Sequence, residues 1–361
     1  MKNQSKKYKI LLSGGGTGGS VTPLLAVYDE LKKDQGEFEF LWLGTKFGPE
    51  REMVEKAGIK FKAISHGKWR RYFSLKNLVD IFKIKLGFWQ AFFVLIRWRP
   101  DLVMSAGSFV SVPVVWAAWL LGVPVLIHQQ DIRAGLANKL MAPLAKVVTV
   151  AFEKSLADYG KKAVWTGNPV RNKKLEIRSK NNNYFGLGEN LPAVLIIGGG
   201  TGAMIINKLA AESLNELTKF CQVIHVTGKG KGIRNQELGI RNYIAYEFLD
   251  AEQMATALNE ADLVVTRAGM GFLSELSYLG KSSIIIPMPD SPQEANAAFF
   301  KSQKAAIVID QKDLTAPKLT QLIKDSLADE KMRGQLAINM GKAMKKGANQ
   351  EMLKIINKII K

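Results

Sequence analysis

Residues 8–31 read YKILLSGGGTGGSVTPLLAVYDEL, and residues 194–214 read VLIIGGGTGAMIINKLAAESL. In each, a short apolar run enters a glycine cluster and leaves into an apolar pattern of helical period. A strand, a tight turn and a helix in that order open a βα unit of a parallel sheet. Working outward from the first of these, strands are expected at Tyr8–Leu12, Glu39–Leu43, Phe61–Ile64, Leu102–Met104, Val123–Ile127 and Lys146–Val150. A second series follows at Ala193–Ile197, Gln222–Val226, Tyr243–Phe248, Leu263–Thr266, Ser283–Pro287 and Ala306–Ile309. The runs are almost continuously apolar, as strands are when helices cover both faces of their sheet. The expected fold class is α/β, with two similar domains over 1–166 and 167–361 and a boundary near Thr166–Lys174. The polar run Arg178–Asn183 reads as a loop, and a final helix over about 331–359 is long enough to reach back to the first domain.

The length agrees with that division, since 361 residues exceed what one hydrophobic core serves. An apolar fraction of 47% with 23% charged residues excludes a disordered or fibrous chain. The single cysteine, Cys221, excludes an internal disulfide or a cysteine metal cluster and points to a reducing compartment. His66, His128 and His225 stand far apart, so no histidine metal site is expected. The apolar run before Gly14 is too short for a signal-peptide core. No uncharged apolar stretch reaches the ~18 to 20 residues of a spanning helix. The longest, Ser105–Gln130, contains Pro113 and Pro124 and reads as sheet and helix. A cytosolic protein attached to a surface is expected.

The net charge of +19 asks for a polyanionic partner: nucleic acid, anionic lipid or a phosphorylated substrate. The charge is uneven. Residues 1–170 hold 25 Lys and Arg against 13 Asp and Glu, and residues 56–99 alone hold 11 basic side chains. Within that window, Lys68, Trp69, Arg70, Arg71, Tyr72 and Phe73 begin a segment that interleaves aromatic and basic residues as far as Trp98. Three readings apply to it: a stacking surface for nucleic acid, a membrane-facing segment with Trp at headgroup level, or ordinary core. Phe88, Phe92 and Leu95, at helical spacing, read as core. The Lys68–Phe73 cluster does not, and the membrane surface is the favoured reading.

Candidate chemistry collects at strand ends. The loop Gly14–Gly19 allows close backbone approach to a phosphate at a helix N-terminus, or serves packing alone. It is not a P-loop, because no GK[ST] follows. No acid ends the second strand, where Leu43-Gly44-Thr45 stands instead of the dinucleotide signature. Two such loops in matching positions favour a ligand over packing. Arg171, after Asn168-Pro169-Val170, is either a phosphate or sugar ligand or a solvated linker residue. Arg267–Glu275 joins a strand to a helix, and Glu275 near the helix start either compensates the dipole or accepts two hydrogen bonds from a ribose diol. Gln293 and Asn296 close the next strand's C-terminal edge, where ligands of open α/β sheets bind.

Taken together these segments resemble the GT-B glycosyltransferases and, within them, the MurG family of undecaprenyldiphospho-muramoylpentapeptide β-N-acetylglucosaminyltransferases. The resemblance covers nearly the whole chain: GGGTGGSVTPLLAV (14–27), WLGT (42–45), GSFVSVP (107–113), HQQDIRAGLANK (128–139), TGNPVR (166–171), GGGTGAMIIN (198–207), HVTGKG (225–230), the RAGMGFLSE turn (267–275) and PQEANA (292–297). It implies two Rossmann-like domains facing a cleft. The second would hold UDP-GlcNAc, and the first would meet an undecaprenyl-linked acceptor at the anionic, cytoplasmic face of the cell membrane.

On the same resemblance, backbone near Phe248-Leu249 grips the uracil and Glu275 takes the ribose hydroxyls. Gly200 and Thr201 of the second glycine loop meet the diphosphate together with Met270, Gly271, Phe272, Leu273 and Ser274. Arg171, Asp131, Gln293 and Thr17, Gly18 and Gly19 lie around the sugar and the reaction centre. The reaction implied is inverting transfer of GlcNAc to the muramoyl C4 hydroxyl. No cofactor or metal is expected, since no DxD-like acidic cluster ends a strand.

Four segments depart from the family pattern, at five positions. Ser20 replaces a histidine, His128-Gln129-Gln130-Asp131 replaces HEQN, Gly200 replaces a serine, and Pro292-Gln293 replaces His-Gln. A serine hydroxyl is not a base near neutral pH, so Asp131 is expected to carry or share that role while Ser20 hydrogen-bonds the acceptor. The alternatives are another UDP-sugar glycolipid transferase and, outside enzymes, a Rossmann-like nucleic-acid binder.

Overall fold

The computed structural model describes residues 7–33, 38–67, 76–171, 184–188, 190–199, 203–231 and 241–361. The loop expected at Arg178–Asn183 lies outside them. The chain forms two compact units, one running to Arg171 and joined by Lys345–Lys361, the other Asn172–Met344.

The first unit is built on a parallel sheet of β1 (Tyr8–Ser13), β2 (Phe38–Gly44), β3 (Lys60–Ala63), β4 (Leu102–Ser105), β5 (Val125–Gln129), β6 (Val147–Val150) and β7 (Ala163–Trp165), in the order β3-β2-β1-β4-β5-β6-β7. The helices α1 (Thr22–Leu31), α2 (Glu50–Lys56), α3 (Lys76–Trp98), α4 (Ser111–Leu120) and α5 (Leu136–Met141) accompany it. The six strands expected here are present. β7 is additional, a three-residue edge strand with half-exposed side chains, too short to leave a periodic signal.

The second unit repeats the plan with β8 (Ala193–Ile197), β9 (Gln222–Val226), β10 (Tyr243–Tyr246), β11 (Leu263–Thr266), β12 (Ser283–Ile285) and β13 (Ile307–Val308), ordered β10-β9-β8-β11-β12-β13. Its helices are α6 (Met204–Leu217), α7 (Ala251–Glu260), α8 (Met270–Leu279), α9 (Pro292–Ser302), α10 (Ala316–Ala328) and α11 (Glu330–Lys342). In both sheets the strand order reverses beside the first strand, between β1 and β4 and between β8 and β11. Loops diverge there at the C-terminal edge and leave a crevice for ligands.

The expected single helix over 331–359 is two helices. α11 ends at Lys342, and α12 (Ala348–Ile360) starts after Gly347, whose φ of +80° cannot continue a right-handed helix. α12 belongs to the first unit, where Met352 and Ile356 share an apolar core with Leu24, Val27 and Leu31 of α1. Burial of each such side chain contributes about 1.5–3 kcal/mol. Asn349 fixes the approach, donating from Nδ2 to Val170 O at 2.9 Å and accepting from Val170 N at 3.1 Å.

Candidate active site

At the switch point of the first unit the loop Gly14–Gly19 is held from beneath. Trp42, fully buried, donates its indole N–H to Gly14 O at 3.0 Å. Ser108, from the loop after β4, donates to Gly15 O at 2.8 Å. A side chain on Gly14 would meet Ser20 O at 2.7 Å, and Gly16 has φ +79°, so both positions require glycine. Thr17 and Gly19 are exposed and Gly18 is half-buried, which leaves them free to face a ligand.

Ser20 turns its hydroxyl into the loop. Only 8% exposed, its hydroxyl accepts from Gly15 N at 3.0 Å and donates to Gly15 O at 3.3 Å. Ser20 thereby staples the loop to the residues that lead into α1. Opposite it lies Glu50, wholly buried, which the sequence reading did not single out. Its carboxylate accepts from Gly16 N at 3.0 Å and from Thr45 N at 2.7 Å. The available signal was the pair Gly44 and Gly48 flanking Thr45, small residues that leave room for a large side chain.

The end of β5 carries a polar network. His128 is fully buried between Thr149 Oγ1 at 2.9 Å and Asn168 Oδ1 at 2.7 Å. Burial lowers its pKa to about 4 against the opposing pull of Asn168, so it is a neutral strut. Gln129 donates to Asp131 O at 2.6 Å and accepts from Tyr159 OH at 3.1 Å, which fixes the backbone that presents Asp131. Asp131 itself is half-buried. Nearby, Gln130 Oε1 and Asn138 Oδ1 are buried with no hydrogen-bond partner among the described residues.

Arg171, expected around the sugar, forms an ion pair within the first unit. Its Nε lies 2.6 Å from Asp29 Oδ2 of α1, with both side chains half-buried. The pair ties the end of this unit's main segment to its first helix.

In the second unit the contrast between helix N-termini is informative. α7 is closed by an Asp250 capping box with Gln253, and Ser291, Thr315 and Asp329 cap α9, α10 and α11. Among the described residues no side chain caps α6 or α8, which follow β8 and β11 across the switch point. Their first-turn N–H groups and positive dipole ends suit an anion. Gly199, at φ +89°, opens the loop before α6, while Gly200 and Thr201 lie outside the described residues.

On α8, Met270, Leu273 and Ser274 are buried, and the Ser274 hydroxyl donates to Met270 O at 2.6 Å. Gly271 and Phe272, in the same first turn, are half-buried. Glu275 is the sixth residue of α8, beyond the first turn where the dipole acts, which weakens the dipole alternative. Gln293 Oε1 accepts from Ala268 N at 3.2 Å and Met288 N at 3.1 Å, so its carbonyl braces the two loops beside α8. Asn296 donates to Ala268 O at 3.2 Å. Arg267, missed as a brace, donates to Ile286 O, Pro287 O and Gln311 Oε1, and burial lowers its pKa. Leu249 is buried, whereas Phe248 is 45% exposed beneath Lys229 Nζ at 5.5 Å.

Lys68–Phe73 lie outside the described residues. Just after them, α3 exposes Phe82, Leu86, Trp89, Phe93 and Ile96, spaced by four and three along one face. Its other face buries Ala91 and Leu95 and packs Phe88 and Phe92 against the core, as the spacing led one to expect. Lys85 Nζ sits 5.9 Å from the Phe82 ring. Among the described residues no helix is long and apolar enough to cross a membrane.

Residues 10–150 match the glycosyltransferase family 28 N-terminal domain and residues 193–354 the family 28 C-terminal domain. A UDP-N-acetylglucosamine–N-acetylmuramyl-(pentapeptide) pyrophosphoryl-undecaprenol N-acetylglucosamine transferase of Clostridium kluyveri is 40% identical over 98% of this chain and 99% of its own. One of the same name from Clostridium perfringens is 38% identical over 89% of this chain and 90% of its own. The crystal structure of Acinetobacter baumannii MurG superposes with a TM-score of 0.71 at 27% identity, covering 97% of this chain and 99% of that one. The chain belongs to the MurG family of family 28 glycosyltransferases.

Proposed function

We propose that this chain moves GlcNAc from UDP-GlcNAc to the C4 hydroxyl of the muramoyl sugar of undecaprenyl-diphospho-muramoylpentapeptide, in peptidoglycan synthesis. The observation that carries this reading is 40% identity along 98% of the chain with a transferase of that name. The second unit takes the donor: Glu275 holds the ribose diol, and the uncapped starts of α6 and α8 receive the diphosphate. These N–H groups stabilise the charge that develops on UDP as the bond from C1 to the diphosphate oxygen breaks. The first unit takes the acceptor through Thr17–Gly19. As the C4 oxygen attacks C1 from the face opposite UDP, its proton passes to the Asp131 carboxylate, and the configuration at C1 inverts.

The apolar stripe of α3, flanked by Lys83 and Lys85, supports peripheral attachment at the anionic cytoplasmic face of the membrane, and the sequence cluster Lys68–Phe73 supplies further basic and aromatic residues for it. A thermal-shift screen with UDP-GlcNAc, UDP-GalNAc, UDP-glucose and GDP-mannose tests the donor assignment. UDP-GlcNAc at 100 times its dissociation constant should stabilise by about 2.7 kcal/mol. A larger shift with another donor would replace the assignment.

A further inference from the structure

We propose that Glu50 is a positioning residue for the transfer, clamping the first glycine loop in the conformation that presents Thr17–Gly19 to the acceptor. This rests on the transferase reading above. Glu50 is 0% exposed and opens α2, 34 residues beyond Gly16. One carboxylate oxygen, Oε2, accepts from Gly16 N at 3.0 Å, and the other, Oε1, accepts from Thr45 N at 2.7 Å and from the Thr45 hydroxyl. The loops after β1 and β2 are thus joined through a single side chain. The space is made by glycines: a methyl group on Gly15 or Gly48 would overlap the carboxylate, and one on Gly44 would come within 3.2 Å of its Cγ.

Hydrogen bonds to a buried carboxylate are short and strong, and an N–H that loses its acceptor there has no water to turn to. Ser20 and Ser108 hold Gly15 on the other side of the loop, so Gly15 and Gly16 are both fixed while Gly16, Thr17 and Gly19 stay exposed. Glu50 touches no ligand. It acts through the backbone of residues that do.

The donors fall on both oxygens, which makes glutamine a sharp probe. An amide has one acceptor atom, so either orientation of Gln turns an NH2 group toward an N–H of Gly16 or Thr45. The full-length chain is assayed with UDP-GlcNAc and a lipid-linked muramoylpentapeptide, together with calorimetric UDP binding and hydrogen exchange across residues 13–21. Glu50→Gln should lower kcat/KM for the acceptor by ~10- to 100-fold, since a misplacement near 1 Å suffices for that. UDP affinity should be unchanged, and loop exchange should rise because the clamp no longer opposes local opening. Thr45→Val, which removes one donor, should lower kcat/KM in the same direction, and Thr45→Ser should restore it.

Wild-type kcat/KM in Glu50→Gln despite faster loop exchange would make Glu50 structural only. Unchanged exchange would remove the clamp itself. Should Glu50→Gln not fold, equal turnover in Thr45→Val and Thr45→Ser overturns the proposal and a difference between them supports it. A wild type with no transfer activity overturns the transferase reading and this role together, and faster exchange in Glu50→Gln then identifies the reading, not the clamp, as the part that failed.

Discussion

His128 Nε2 lies 2.7 Å from Asn168 Oδ1, and this contact joins the end of β5 to the segment after β7. The other ring nitrogen, Nδ1, is paired with the Thr149 hydroxyl at 2.9 Å, so both nitrogens of the buried ring have a partner. The second unit has a buried histidine of the same kind, His225, between Tyr243 OH at 3.1 Å and Asn207 Oδ1 at 3.2 Å. Burial lowers both to about 4, from 6.5 for a free side chain. Above pH 6.5 both are neutral whether the chain is folded or not, and their contribution is complete. As pH falls toward 4 the unfolded chain takes up protons that the folded one refuses, so stability declines by an amount on the order of 3 kcal/mol per histidine. Urea midpoints at pH 7 and pH 5 measure this. His128→Gln should reduce the difference, and midpoints that do not move with pH would refute the buried neutral assignment.

Glu275→Ala should weaken UDP-GlcNAc binding far more than it slows the bound complex. Two charge-assisted hydrogen bonds to a ribose diol contribute roughly 1.5–3 kcal/mol, or about 10- to 150-fold in dissociation constant by calorimetry. Unchanged affinity would leave Glu275 with no part in donor binding.

Asp131→Asn keeps the shape of the side chain and removes its basicity. If Asp131 takes the acceptor proton, kcat should fall ~10²-fold or more with little change in KM. Near-normal turnover would return Asp131 to a positioning role.

Replacing Phe82, Trp89 and Phe93 on α3 by serine should abolish sedimentation with anionic vesicles, because each aromatic buried in the interface contributes about 1.5–3 kcal/mol. The same is expected when Trp69, Arg70, Arg71 and Tyr72 are exchanged for serine and glutamine, at about 1 kcal/mol per basic residue. Turnover of a short-chain, water-soluble acceptor should survive both changes. Its loss would show that the surface has a role in folding or chemistry instead.

The strands were legible because runs such as Val194–Ile197 are apolar throughout, and the sheet order follows from repeated βα units. β7 was not, since three residues at a sheet edge carry no period. The break before α12 turns on one left-handed glycine inside a pattern that otherwise reads as helix. At the site, sequence located the loops but not the direction of the side chains. Ser20 and Arg171 stand in the right segments, yet their partners are Gly15 and Asp29, chosen by tertiary packing. Glu50 looks like any acid in the first turn of a helix. Only the fold reveals that its partner is an N–H 34 residues away.

Full-length protein is incubated with UDP-GlcNAc labelled in the sugar and with a lipid-linked muramoylpentapeptide. Label should move to the lipid fraction in a β linkage, with one UDP released for each sugar transferred. UDP released with no labelled lipid, or no reaction while another glycolipid is glycosylated, would contradict the account.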